Sequence, residues 1–318
     1  MTDDLEGAPT EPGPEAPQSV KEVPRSEIAA LYELIGPAFD AIDARASSPG
    51  KTPQDVVPTG FMDLDRVTGG GLAAASTTAV FGHSGMGSSV LALNFATHAA
   101  TACDVPVLVV SWESDRDALV RRVLSHTAGV PLTRLTAGAL DDDDWRKLAA
   151  AMGRIAETPL SMTAGPPTFE VLSARVSEWT ATFPSQRRLL VLDGLPHLAR
   201  LSPANTETSV WDAHTRISAQ VKHLAMTELL IIVYTVPTIV DVMRRADPRP
   251  RLGDVAYSPA YVADADLVLG VYREDLVERE SPRAGEADLH LLKSKHGPTD
   301  VFLLAFQGHF QRFVDVAL

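Results

Sequence analysis

The sequence predicts an α/β fold, a mainly parallel sheet with helices on both faces. From residue 58 onward, short apolar runs alternate with helical stretches, the pattern of strands joined by crossover helices. The runs are apolar at consecutive positions, as in Leu189-Leu190-Val191-Leu192 and Leu229-Leu230-Ile231-Ile232-Val233, which demands burial on both faces of a sheet. One run, 77–81, leads into a glycine-rich loop and then directly into the apolar helical stretch Val90 to Ala100.

Taken in chain order, residues 1–25 read as a disordered acidic tail. Pro9, Pro12, Pro14, Pro17 and Pro24 interrupt any periodicity, and Asp3, Asp4, Glu6, Glu11, Glu15 and Glu22 face only Lys21. Residues 26–50 read as a helix and a breaker. Ser26 is a plausible N-cap, and Ile28, Leu31, Leu34, Ile35, Phe39 and Ile42 recur at helical spacing. Gly36 and Pro37 are expected to kink or divide this helix, and Ser47 to Gly50 to end it. The main domain is expected over 51–318, with strands at 77–81, 105–111, 188–193, 229–236, 266–272, 287–293 and 300–306.

Composition excludes several classes. A 45% hydrophobic content rules out wholesale disorder. No apolar run is long enough to span a bilayer, and the N-terminus lacks a signal-peptide pattern, so a cytoplasmic protein is expected. The single cysteine, Cys103, precludes a disulfide framework and reads as a small buried residue before a strand; the scattered histidines have no metal-ligand spacing. A net charge of −13 argues against a surface coated in positive potential for duplex DNA, so any nucleic-acid contact must be local.

The loop Gly82-His83-Ser84-Gly85-Met86-Gly87-Ser88-Ser89 has the P-loop frame in its strand-loop-helix context. In such a loop glycines let backbone N–H groups turn inward around phosphate, and the helix N-terminus adds favourable partial charge. Ser89 is placed to help hold Mg2+. The Lys position is Ser88, however, so the ammonium that reaches the β and γ phosphates is absent. On the loop alone, a nucleotide site and a plain glycine-rich turn both remain open.

The surroundings decide between them. Val57-Pro58-Thr59-Gly60-Phe61-Met62-Asp63-Leu64-Asp65 resembles the "VPTGFxDLD" entry string of the C-terminal motor domain of DnaB-type replicative helicases. The similarity runs without gaps through the loop to Ser111-Trp112-Glu113. It continues in Asp142-Asp143-Asp144-Trp145, in Leu192-Asp193, and in Lys293-Ser294-Lys295-His296-Gly297-Pro298, which is similar to the family's "KQRNGP". It covers about residues 26–315 and implies a RecA-like P-loop NTPase fold preceded by a linker helix. The family's N-terminal primase-binding domain has no counterpart in this sequence.

The resemblance implies ATP and Mg2+ as cofactors, with Glu113 polarising the attacking water and Asp193, beside Ser89, supporting the metal. It implies a homo-oligomeric ring such as a hexamer, with residues 26–46 docking on a neighbour and Lys293 and Lys295 acting across the subunit interface. Taken singly, Glu113 also fits an exposed loop acid and Asp193 a chain-turning residue. Departures from the family are equally specific. Pro237 stands where the family has a γ-phosphate-sensing Gln, and Lys295 where it has an arginine finger, whose bidentate fork an ammonium cannot reproduce. The family's "DLRESG" becomes Asp254-Val255-Ala256-Tyr257-Ser258-Pro259.

Arg244, Arg245, Arg249 and Arg251 precede that loop as candidates for single-stranded DNA contact; a solvated loop balanced by Asp247 and Asp254 is the alternative. Asp141 to Asp144 read as a helix cap rather than a metal site, and Trp112 and Trp145 as core or interface packing residues. Two functions follow: an ATP-driven helicase motor acting in DNA replication with impaired hydrolysis, or an inactive pseudo-helicase that scaffolds or regulates an active replicative helicase. A recombinase-like or clock-type ATPase would share the fold but not the entry string or Gly297-Pro298.

Overall fold

The structure, a computed structural model, describes residues 29–47, 53, 55–184, 187–201, 209–295 and 297–316. The acidic tail, the Ser26 cap, Ile28, most of the breaker and His296 lie outside the described residues. The chain divides into two compact units, with the boundary between residues 51 and 52.

The first unit carries helix α1 (Leu31–Ala46), which runs unbroken through Gly36 and Pro37. Of the kink or division expected there, the division does not occur. Pro37 removes one N–H from the ladder, and the helix is exposed at every turn, so water can satisfy the carbonyl left free. Leu31, Ile35, Phe39 and Ile42 all remain exposed.

The second unit is built on a nine-stranded sheet. Its strands in chain order are β3 (Ser76–Gly82), β4 (Val107–Ser111), β5 (Leu160–Ala164), β6 (Leu189–Asp193), β7 (Ile231–Pro237), β8 (Leu267–Tyr272), β9 (Glu286–Ser294), β10 (Asp300–Gln307) and β11 (Arg312–Asp315). A separate pair, β1 (Val56–Val57) and β2 (Leu72–Ala73), precedes them. The spatial order is β11-β10-β9-β8-β3-β7-β6-β4-β5, parallel from β8 to β5 and antiparallel from β8 outward to β11.

The expected strands all form. Those absent from the sequence reading are short or lie at a margin of the sheet. In β5 every residue is only partly buried or exposed, and β11 has Phe313 as its one buried residue, so neither carries a strong apolar run.

Helices α2 (Met62–Val67), α3 (Ser88–Ala102), α4 (Arg116–Ala128), α5 (Leu132–Ala137), α6 (Asp142–Ile155), α7 (Phe169–Thr182), α8 (Pro196–Leu201), α9 (Val210–Thr227) and α10 (Ala260–Ala263) complete the unit. Two apolar cores confirm helices on both faces. One packs Leu91, Phe95 and Ala99 of α3 with Val80, Val109 and Val233; the other packs Leu172, Val176, Val221 and Leu224 of α7 and α9 with Phe81, Leu108 and Ile232. Successive residues of one strand thus serve opposite faces, the reason these runs are apolar throughout.

Local signals set the helix ends. Asp141 accepts from the Asp144 N–H while Asp144 accepts from the Asp141 N–H, so the acidic run is a capping box, as the sequence reading expects. Helix α3 differs. It starts from Gly87 at φ +106° with no side-chain cap, which leaves its first N–H groups open to an anion.

Candidate functional site

Parallel strands β3, β4, β6 and β7 end on one edge of the sheet, where α/β folds place their ligands. That edge holds a cleft of about 380 Å³ lined by Gly82 to Gly85, Gly87 to Val90, Glu113, Arg122, Thr235, Val236, Pro237, Phe306 and Gln311. The volume falls within the roughly 300–1,000 Å³ of small-molecule sites.

The loop is shaped by close approach. A Cβ on Gly82 would stand 2.9 Å from the Ser88 hydroxyl and 3.1 Å from the Val271 carbonyl, and one on Gly87 would stand 2.7 Å from the Phe313 ring. Met86 is buried beneath the loop. Its Sδ accepts from the Arg273 N–H at 3.2 Å, and the Arg273 guanidinium donates to the Gly85 carbonyl at 3.1 Å. Arg273 also lies 4.0 Å over the Phe306 ring and pairs with Asp275 at 2.8 Å, so the far side of the loop is clamped from β8 and β10. Ser88, in the Lys position, has a buried hydroxyl without a hydrogen-bond partner among the described residues.

The carboxylates are held by a hydroxyl network. Ser111 at the end of β4 donates to Asp193 Oδ2 at 2.9 Å and accepts from the Glu113 and Ser114 N–H groups at 3.2 and 3.0 Å. Thr235 on β7 donates to Asp193 Oδ1 at 3.0 Å and accepts from the Gly194 N–H at 2.7 Å. Gly194, at φ +78°, makes room for Glu113, whose Cγ would be 2.8 Å from a Cβ there. Asp193 is buried, whereas Glu113 stays about half exposed.

Burial raises the Glu113 carboxyl above its ordinary range and the negative Asp193 adds to this; His197, at 3.8 Å, and Arg122 pull the other way. A carboxylate shifted toward neutrality is better suited to taking a proton from water. From the other side, Trp112 donates its Nε1–H to the Pro166 carbonyl at 2.8 Å and packs where a Cβ on Gly165 would stand 2.3 Å away. Trp112 thus packs within its own chain, and Trp145 is exposed, open to the interface packing that is the other expectation for the pair.

Ser89 lines the cleft and Asp193 ends β6, one strand beyond the β7 that carries the lining residue Thr235; both are hard oxygen donors of the type Mg2+ prefers. These residues fit the metal a nucleotide would bring, which would serve to neutralise phosphate charge. No cluster of three or more His, Cys, Asp or Glu side chains suited to a resident metal occurs among the described residues.

The remaining sequence candidates lie elsewhere. Strand β9 runs antiparallel to β8, with Ser294 beside Leu267, so Lys293 and Lys295 sit at the edge opposite the loop. The separation is roughly 15 Å at about 3.3 Å per residue. Lys293 donates to the Val262 and Ala263 carbonyls at 3.0 and 2.7 Å, and Lys295 lies 3.3 Å from Asp266. Neither reaches the cleft of its own chain.

Arg245 forms a two-pronged pair with buried Asp254 at 2.6 and 2.8 Å, which makes it part of the loop's scaffold. Arg244 pairs with Asp241 at 3.2 Å; Arg249 and Arg251 approach Asp247 at 4.0 and 3.5 Å, all well exposed. Cys103 is half-buried at the end of α3. Sequence reasoning missed Arg122, Thr235 and Arg273. Their types are ordinary in helices and strands, and only the fold brings them to the loop.

A glycine-rich P-loop between a central strand and an uncapped helix, with an acid following β4 and an aspartate ending β6 beside it, defines a RecA-like P-loop NTPase domain. The model of the DnaB-like helicase C terminal domain matches residues 56–315. The chain belongs to that family.

It is 33% identical over 288 residues to the replicative DNA helicase DnaB of Leifsonia xyli subsp. xyli (strain CTCB07), an alignment covering 90% of this chain and 61% of that protein. It is 26% identical to the replicative DNA helicase DnaB of Geobacillus stearothermophilus, over 95% of this chain and 66% of that one. The chain therefore spans under two thirds of these relatives. Among solved structures, an isolated ATPase domain superposes with a TM-score of 0.83 at 22% identity, covering 92% of this chain and all of that one. A DnaB-like replicative helicase studied for its interactions with primase superposes at 0.82 and 23% identity, over 91% of this chain and 69% of that one. These confirm the fold. No described helix is long and apolar enough to cross a membrane.

Proposed function

We propose that this chain is an ATP- and Mg2+-binding subunit of a homo-oligomeric ring, related to the replicative helicase motor and acting with single-stranded DNA in the cytoplasm, with ATP hydrolysis impaired. One observation carries the reading. The cleft unites the loop backbone, Ser89 and Glu113, with Asp193 buried behind it on the lining residue Thr235, yet presents Ser88 and Pro237 where the family's phosphate-contacting Lys and Gln stand. Binding through N–H groups at the α3 N-terminus survives these changes. Turnover needs charge stabilisation that a serine and a proline do not supply, and a lysine at 295 lacks the bidentate fork of an arginine finger.

A second reading, a catalytically silent scaffold or regulator of an active replicative helicase, is favoured by the engagement of Lys293 and Lys295 within their own chain. Steady-state ATP hydrolysis with and without single-stranded DNA, together with molar mass by light scattering, separates the two. Slow but DNA-stimulated turnover in an oligomer supports the motor. An oligomer with no turnover supports the scaffold, and vigorous turnover comparable with an intact motor would overturn both.

A further inference from the structure

A nucleoside triphosphate brings several negative charges into a cleft whose loop lacks its lysine, so the source of compensating positive charge is a physical question. Arg273 lies closest in the chain to an answer, but one of its terminal nitrogens donates to the Gly85 carbonyl and the other to Asp275, and its plane is stacked on Phe306. The His83 ring is hydrogen-bonded to the Ser84 carbonyl. Lys293 and Lys295 are at the opposite edge of the sheet. Arg122 differs from all of these. It lines the same cleft as Ser88, Ser89 and Glu113 from α4, and among the described residues it makes no hydrogen bond or close ion pair, acting only at longer range on the Glu113 carboxyl.

We propose that Arg122 binds the terminal phosphates of the nucleotide in this chain, standing in from α4 for the ammonium that the loop lacks at Ser88. The inference rests on the nucleotide-binding reading of the cleft and deepens it. A guanidinium whose N–H groups are not hydrogen-bonded, beside a row of open N–H groups, is arranged for an anion, and its planar fork suits phosphate oxygens. Its reach to the Glu113 side of the cleft agrees with the influence it has on that carboxyl. Entry from the α4 side, instead of from the loop itself, orders the phosphates without restoring the loop's own contact. This accords with binding that outlasts turnover.

The test is calorimetric titration of the full chain with MgATP, MgADP and AMP, for wild type, Arg122→Gln, Arg122→Lys, Ser88→Lys and the double variant Ser88→Lys with Arg122→Gln. Arg122→Gln is expected to weaken MgATP about 10- to 100-fold, the effect of one charge-assisted hydrogen-bonded contact. MgADP should weaken less and AMP hardly change, Arg122→Lys should fall between, and the double variant should recover most of the MgATP affinity. Unaltered MgATP binding by Arg122→Gln, or equal losses for ATP and AMP, would overturn the proposal while leaving the nucleotide site intact. So would failure of Ser88→Lys to compensate in the double variant. A wild type that binds no nucleotide at all would instead bring down the nucleotide reading itself, and this proposal with it.

Discussion

Ser111→Ala removes one oxygen atom and, with it, three hydrogen bonds from the cleft edge. Ser111 is 1% exposed, donates to Asp193 and accepts from the Glu113 and Ser114 N–H groups. The bond to the carboxylate is worth about 1.5–3 kcal/mol and each N–H contact about 0.5–1.5 kcal/mol. Asp193 is 4% exposed, so water does not replace the lost donor, while Glu113 and Ser114 are more accessible and recover part of theirs. A loss of about 3 kcal/mol follows, and at roughly 2–4 °C per kcal/mol for a domain of this size the melting temperature should fall by about 6–12 °C. Thermal denaturation followed by circular dichroism measures it, with Ser114→Ala as a control expected to stay within about 1 °C, since only its backbone is engaged. A Ser111→Ala melt within about 2 °C of wild type would refute the claim that this hydroxyl organises the acid side of the cleft.

Ser88→Lys should strengthen ATP binding far more than it restores turnover, because Pro237 and Lys295 are unchanged; full recovery of hydrolysis from that one substitution, against the triple variant with Pro237→Gln and Lys295→Arg, would contradict the impaired-site reading. Arg245→Ala, which strands buried Asp254, should cost about 3 kcal/mol in urea unfolding, whereas Arg244→Ala, in a fully hydrated pair, should stay within about 0.5 kcal/mol. Replacing Arg244, Arg249 and Arg251 together should weaken single-stranded DNA binding and flatten its salt dependence; unaltered binding would dismiss the loop as a DNA contact. Deleting residues 1–50 should lower the oligomer mass, since the apolar stripe of α1 is exposed; an unchanged mass would assign assembly elsewhere. Burial pushes His126 down to about 4, so the unfolded chain takes up its proton first and stability falls between about pH 6.5 and 4, by up to about 1.4 kcal/mol per pH unit; His126→Gln should flatten that limb of the stability curve.

The linear chain determined more of the fold than of the chemistry. Two-faced apolar runs such as Leu189 to Leu192 can only be interior strands, because polar positions on either face would otherwise be required. The glycine spacing from Gly82 to Gly87, the Asp141–Asp144 box and the entry string at Val57 are local in sequence, and so is the absence of a lysine at 88. The pairing of strands is not local. Only the crossover order places β3 between β7 and β8 and so brings Pro237, Thr235 and Arg273 to the loop, from residues more than a hundred positions away. The same order decides which charges are free. Arg245 and Arg122 are the same residue type, yet Asp254 folds back onto the first in a two-pronged pair, whereas the second lines the cleft and only acts at longer range on Glu113. Charge pairing depends on distances of a few ångströms between distant segments, and those distances exist only once the sheet has closed.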